Sequence, residues 1–324
     1  MKSLKFFSLF IAGLWGGLVA NARTIDSGTC GANLSWKLTD DWVITISGIG
    51  EMTDYDSSSE RPWDFWSTEI KNAFVESGVT SIGSYAFLGC INLSSITIPE
   101  SVKEIGNGAF WDCTGELIVN CNIPDTKNSR GTFEGSTIGE GVTSIGYNAF
   151  NNCSSIVEVC VNSIEDWCNI EFSENNHSSI SNPLFYAEKF LVDGKQVQNL
   201  TIPSTVNTIK DHAFHGFKGI EALTVSKDVK AIGFEAFRDC NNLKTVAISE
   251  GKTSIGSNAF IYCKGLLSAT IGGASIGDDA FYECSNLSSL TLLEGVGSIG
   301  EGAFSDCSCL QSITIPSSLT TIGY

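Results

Sequence analysis

The stretch Ser81-Ile82-Gly83-Ser84-Tyr85-Ala86-Phe87-Leu88-Gly89-Cys90-Ile91-Asn92-Leu93-Ser94-Ser95-Ile96-Thr97-Ile98-Pro99 decides the fold, because its outline returns down the chain. Ala-Phe pairs stand at 86/87, 109/110, 149/150, 213/214, 236/237, 259/260, 280/281 and 303/304, with a degenerate copy at Thr132-Phe133. Successive phenylalanines are 23, 23, 17, 64, 23, 23, 21 and 23 residues apart. A period of ~20–29 residues marks a solenoid, in which each repeat is one coil that buries its apolar face only against its neighbours. Within a coil, Leu93, Ile96 and Ile98 suit a short strand with inward apolar side chains, and Ile82-Gly83 a second extended piece and a turn. Ala86 is small enough for close approach of coils, and a phenylalanine at the same place in each predicts a stacked aromatic spine. The expected fold class is a β-rich repeat solenoid of short parallel strands joined by turns or short helices.

The repeated phrase resembles the BspA-like leucine-rich-repeat family of surface proteins, from about Val75 to the end of the chain. Gly28-Thr29-Cys30-Gly31, Leu34-Ser35-Trp36, Ile44-Thr45-Ile46-Ser47-Gly48, Gly50-Glu51-Met52 and Pro62-Trp63 resemble the segment that precedes such repeats. Asp166-Trp167-Cys168-Asn169-Ile170 and Asn182-Pro183-Leu184-Phe185-Tyr186-Ala187 resemble an insertion between repeats in the same family. The resemblance implies a leucine-rich-repeat solenoid and adhesion to extracellular-matrix proteins. The repeated residues are core residues, so it names no ligand.

Residues 1–22 read as a signal peptide: Lys2 and Lys5, an apolar stretch from Phe6 to Ala20, and the small-x-small site Ala20-Asn21-Ala22. That stretch is shorter than the ~20 residues that span a bilayer, so a secreted or cell-surface protein without membrane insertion is expected. Residues 23–74 read as a small β-rich cap, with a hairpin over 34–38 and 42–46 and a short helix over 62–70. Residues 75–324 read as the solenoid, irregular at about 154–205, with two or three coils in the long step between Phe150 and Phe214. The sequence ends at Thr321-Ile322-Gly323-Tyr324, inside the repeat phrase, so a C-terminal cap is read as absent. Stacked at ~4.8 Å, the coils would run roughly 50 Å.

The balance of charges narrows the partners. In 324 residues, 36 Asp and Glu oppose 19 Lys and Arg, for a net charge of −17 with no local basic run, which excludes nucleic acid as an expected partner. With 42% hydrophobic residues the chain must bury a core. An exported chain with 12 cysteines would ordinarily carry disulfides. Here Cys90, Cys113, Cys153, Cys240, Cys263, Cys284 and Cys307 each lie three residues after a repeat phenylalanine, and Phe217 takes that place in one coil. A position that accepts phenylalanine does not need a bond, so buried thiols are expected. Cys30, Cys121, Cys160, Cys168 and Cys309 lie off this column, and a Cys160–Cys168 bridge stays open.

No cofactor and no metal site is expected. His212 and His215 flank Ala213-Phe214 but fall short of a complete metal-ligand pattern, and His177 lies in the polar tract 174–179. Asp54-x-Asp56 with Glu60 has oxygen ligands without the glycine and spacing of a calcium loop. Gly106-x-Gly108 meets Trp111 where a dinucleotide fingerprint needs its third glycine.

The candidate site is the outer side of the longer strand. Eight and ten residues after each phenylalanine stand Ser95 and Thr97, Ala222 and Thr224, Thr245 and Ala247, Ser268 and Thr270, Ser289 and Thr291, Ser312 and Thr314, with Glu158 and Cys160 interrupting. Stacking turns these into a face of hydroxyls and methyls with little charge. Ser and Thr are also ordinary solvent-facing strand residues, and both readings stand. The expected function is a non-enzymatic interaction protein that adheres to an extracellular protein or glycan. A carbohydrate-active enzyme would need paired carboxylates, and Glu158 stands alone in its column. A spacer that presents a further C-terminal domain is the third reading.

Overall fold

The computed structural model describes residues 22–58, 60–115, 118–120, 136–137, 141–156, 158–173 and 181–324. The signal-peptide stretch 1–21, Cys121, Thr132-Phe133 and the His177 tract lie outside the described residues.

The molecule is a β-solenoid. Its first sheet starts antiparallel, with Thr24–Gly31, Leu34–Thr39 and Val43–Gly48 as a meander. Alternation in Leu34–Thr39 puts Leu34, Trp36 and Leu38 in the core and Ser35 and Lys37 outside. Val43–Gly48 then pairs parallel with Asn72–Val75, which pairs parallel with Ser95–Thr97, so one strand joins the meander to the coils. The segment 62–70 forms a single 3-10 turn at Asp64–Trp66 instead of a longer helix.

Further along, two parallel sheets run side by side. One stacks Asn199–Ile202, Ala222–Val225, Thr245–Ile248, Ser268–Ile271 and Ser289–Leu292. The other stacks two-residue strands from Thr208–Ile209 to Thr321–Ile322. Both bury their branched aliphatic residues inward, except at the last strand, where Ile322 is exposed.

A third edge closes each coil at the Ala-Phe pair. The Phe237 N–H donates to the Ala259 carbonyl of the next coil at 2.8 Å, and Phe214, Phe260 and Phe281 repeat this contact. The chain meets the geometry with two left-handed residues per coil, two before and two after the phenylalanine, with φ between 50° and 70° in every described copy. Gly, Asn and Asp hold most of these places, for example Gly108, Asn148 and Asn258 before and Gly89, Asp112 and Asp239 after.

This geometry makes a prediction at two glycines of one column. At Gly89 (φ 70°) an added Cβ meets nothing within 4 Å, so Gly89→Ala should cost about 1 kcal/mol from the left-handed backbone alone. At Gly216 (φ 70°) the same Cβ would fall 2.3 Å from the Phe185 ring, so Gly216→Ala should cost about 2–4 kcal/mol. Urea unfolding of the two variants checks the order; equal losses would show that the turn tolerates a side chain.

The phenylalanines form the expected spine. Phe214, Phe237, Phe260, Phe281 and Phe304 stack with successive centroids 5.0, 5.1, 4.9 and 5.4 Å apart and planes within 11°. Phe87, Phe110 and Phe150 form an earlier stack at 5.5 and 5.3 Å. A buried tryptophan precedes each stack. Trp63 lies over Phe87 and donates its indole N–H to the Ala86 carbonyl at 3.0 Å. Trp167 contacts Phe190 and Phe214 and donates to the Ala213 carbonyl at 2.7 Å. Trp167 belongs to a short helix, Ile164–Asn169, whose N-cap Ser163 accepts from the Asp166 N–H at 3.0 Å.

Candidate binding face

The outer face rests on the strand pleat. In Thr245–Ile248, Val246 and Ile248 are buried while Thr245 and Ala247 are exposed. Parallel pairing without register shift then aligns two columns. One runs Asn199, Ala222, Thr245, Ser268, Ser289; the other Thr201, Thr224, Ala247, Thr270, Thr291. Neighbours in a column stand about 4.8 Å apart. None of these ten residues is charged, so a partner displaces water from hydroxyls and methyls, which is less costly than desolvating ions. Beside the face, Lys244 Nζ reaches Glu221 Oε2 of the preceding coil at 2.7 Å, which neutralises that charge locally.

Thr224, Thr245, Ser268, Thr270, Ser289 and Thr291 thus share one sheet, with Ser268 and Thr270 half-buried and the other four exposed. Ser95 and Thr97 lie in a different sheet, beside Asn72 and Phe74, and Ser95 Oγ is 2.6 Å from Asn72 Oδ1. Ser312 and Thr314 are exposed but in no strand. In neighbouring coils the inward anchors, such as Leu287, Leu290 and Leu292, are buried; at the last coil Ile313 is 36% and Ile315 48% exposed. With Ile313 and Ile315 unburied, no strand is present there, and the aligned face ends at Ser289–Leu292.

One further correction concerns Glu158 in the irregular region, and the pairing left open at Cys160 and Cys168 is resolved beside it. Glu158, expected on the outer side, is buried, 3.6 Å from Lys189 Nζ and in contact with Cys160 Sγ at 3.5 Å. Its strand neighbour is Lys189 of the parallel strand Lys189–Val192, which continues into the hairpin partner Lys195–Gln196. Cys160 and Cys168 form no bridge; every cysteine among the described residues is a thiol. The sequence reading missed Asn199 and Thr201, although Leu200-Thr201-Ile202-Pro203 follows the same pattern as Ile96-Thr97-Ile98-Pro99, because no Ala-Phe pair precedes them at the repeat distance. It also missed a second hydroxyl column, Ser254, Ser275, Ser298 and Thr321, on the other sheet.

The column cysteines have a chemical role within the core. Cys113, Cys153, Cys240, Cys263, Cys284 and Cys307 each direct Sγ to the carbonyl of the phenylalanine one coil earlier, at 3.0 to 3.3 Å. Burial pushes the Cys90 thiol up to about 12 and holds Cys113, Cys240 and Cys263 well above the ordinary thiol range. They are poor nucleophiles. Asp54, considered above as a calcium ligand, accepts instead from the Ser84 N–H at 2.7 Å. The two histidines gain a neighbour: Glu235, one coil later, lies within 4.8 Å of both through its carboxylate.

The family described as BspA type leucine rich repeat region matches residues 63–136, 128–187, 167–275 and 274–324, with 6 copies. No curated protein matches the chain. Solved structures similar to it include a leucine-rich repeat protein from Eubacterium ventriosum, 24% identical, covering 92% of this chain and 93% of that one with a TM-score of 0.45. A leucine rich cell surface protein from Faecalibacterium prausnitzii is 20% identical, covering 93% and 95%, with a TM-score of 0.38. A leucine-rich repeat protein from Bacteroides ovatus is 20% identical, covering 90% of each, with a TM-score of 0.41.

Proposed function

Because the chain belongs to the BspA-type leucine-rich-repeat family, we propose that it is an exported, non-enzymatic surface protein that adheres to an extracellular protein or glycan through its hydroxyl face. The observation that carries this reading is the register of five parallel strands that aligns Thr201, Thr224, Thr270 and Thr291 in one uncharged column. Such a face offers a donor and an acceptor at each hydroxyl, in rows that match an extended glycan or peptide. Single contacts of this kind are weak, so affinity grows with the number of coils engaged and with several molecules acting together. The ten outward positions of this sheet hold no carboxylate, which leaves glycoside cleavage there without its acid and its base. No helix among the described residues is long and apolar enough to cross a membrane.

Thr224→Glu/Thr291→Glu tests the assignment. The two positions are separated by Ala247 and Thr270 in the column, about 14 Å, so the new carboxylates do not oppose each other. On an array of glycans and matrix proteins, the double variant should lose at least about tenfold of whatever binding the wild type shows, with thermal unfolding unchanged. Undiminished binding at equal stability would remove the face from recognition.

A further inference from the structure

Two adjacent coils place four polar side chains in a two-by-two array on the Ala-Phe edge. His212 and Glu235 both stand two residues before a spine phenylalanine, and His215 and Arg238 both stand one after it. The chain step between the phenylalanines is one coil, so the array is made of stacked neighbours. His212, His215 and Glu235 are 8, 3 and 2% exposed. Their ligand-type atoms all lie within 4.8 Å of one another, and His212 Nδ1 is 3.6 Å from Glu235 Oε2.

We propose that His212, His215 and Glu235 bind a divalent transition-metal ion of the zinc class. Two imidazoles and one carboxylate are a known zinc ligand set, with metal bonds of about 2.0–2.2 Å and a fourth position for water. Ligand atoms around a tetrahedral ion stand about 3.3 Å apart on those bond lengths. The observed separation of 3.6 Å between His212 Nδ1 and Glu235 Oε2 is close to that spacing.

The surroundings match such a centre. Arg238 Nη1 donates to Glu235 Oε1 at 2.8 Å, which orients the carboxylate and leaves Oε2 facing His212. Hydrogen-bonded carboxylates of this kind are the usual support of a ligating oxygen. Asn182, fully buried, donates to the His212 and Ala213 carbonyls at 2.8 and 2.9 Å, so the backbone carrying both imidazoles is tethered. Phe234 packs edge-on to His212 at 5.6 Å and Phe185 to His215 at 5.6 Å. These rings flank the two imidazoles on either side.

The choice of residues also sets this edge apart. His212 and Glu235 adopt φ of 59° and 50° in a column where the other described coils use Tyr85, Gly108, Asn148, Asn258, Asp279 and Gly302. A buried glutamate with a left-handed backbone is costly to fold and is not required by the turn. The ion would pin the coil of Phe214 to the coil of Phe237.

The test titrates zinc into the full chain carrying Cys309→Ser, which removes an exposed thiol, by calorimetry and by the visible spectrum of the cobalt-substituted protein. One ion per chain at micromolar affinity or tighter is expected, with a tetrahedral cobalt spectrum free of thiolate bands. His212→Asn/Glu235→Asn should weaken zinc by at least about a hundredfold and keep the fold, because asparagine already occupies this column at 148 and 258. His215→Asn, which copies Asn151 at the same place in another coil, should weaken it comparably and serves if the double variant does not fold. The proposal is overturned by absence of zinc binding in the Cys309→Ser chain, by thiolate bands in the cobalt spectrum, or by unchanged affinity in a folded His212 or His215 variant.

Discussion

Phe237→Ala is expected to remove about 3–5 kcal/mol of stability and to split unfolding of the solenoid into two steps. Phe237 is fully buried and is the middle ring of a stack, 5.0 Å from Phe214 and 5.1 Å from Phe260, parallel to each within 4°. Truncation leaves a cavity between two rings and forfeits two stacking contacts, each about 0.5–1.5 kcal/mol. In a solenoid a coil touches only its neighbours, so a weak coil uncouples the arrays on its two sides. Phe304 is the contrast: it is half-buried and its stacking partner is Phe281. Phe304→Ala should cost less, about 1–2 kcal/mol, and leave a single transition. Hydrogen exchange should show protection lost around residues 214–260 first in Phe237→Ala. Equal losses in the two variants, or one shared transition, would mean that the rings do not couple the coils.

Raising the pH above 9 is expected to unfold the protein within about one to two units, driven by its thiols. Burial raises nine of them: Cys30 and Cys307 to about 11, Cys90 to about 12, and Cys113, Cys153, Cys168, Cys240, Cys263 and Cys284 higher still. The folded state therefore keeps protons that the unfolded chain releases near pH 8.5–9. With folded values above unfolded ones, the thiols leave stability intact below that range and erode it as pH rises toward the folded values. A deeply buried thiol contributes a slope of about 1.4 kcal/mol per pH unit, so the seven other than the less enclosed Cys30 and Cys307 together reach the order of 10, comparable with the whole stability of about 5–15 kcal/mol of an ordinary domain. Circular dichroism from pH 7 to 11, with urea midpoints at each pH, measures the slope. Cys263→Ala should lower it by about one thiol's share. At pH 8 a bulky disulfide reagent should modify exposed Cys309 well before the column thiols. A flat stability between pH 8 and 10, or fast labelling of the column, would contradict the buried-thiol ladder.

The thiol ladder shows what a repeat makes legible. A cysteine three residues after each phenylalanine, replaced once by Phe217, already argued for burial without bonding. The acceptor did not follow from that spacing: each sulfur reaches the phenylalanine carbonyl of the previous coil, a contact that depends on the stagger between coils. The left-handed pairs could have been found, since Gly, Asn and Asp recur two residues before and after the phenylalanine. Tyr85, Tyr262, His212, Glu235 and Glu283 stand at the same places and obscured the rule. Trp63 and Trp167 likewise looked unrelated, yet each opens a ring stack and bonds the alanine carbonyl beneath it.

The candidate face divides in the same way. Alternation within Ser289-Leu290-Thr291-Leu292 states which side chains point outward, because successive residues on a strand face opposite ways. Whether outward residues of different coils form one surface depends on which strands pair. Ser95 and Thr97 obey the same alternation and belong to another sheet, and Ser312 and Thr314 obey it where no strand forms.

The amino-acid order determined the coil, its inward set and the aromatic spine, because these repeat with the period of the chain and burial of apolar surface acts on every copy alike. Tertiary structure alone decided the meeting of His212, His215 and Glu235, the burial of Glu158 and the extent of the hydroxyl face. Residues one coil apart in the chain lie one strand spacing apart in space only where the coils stack in register, and the irregular coils between Phe150 and Phe214 set where that register begins.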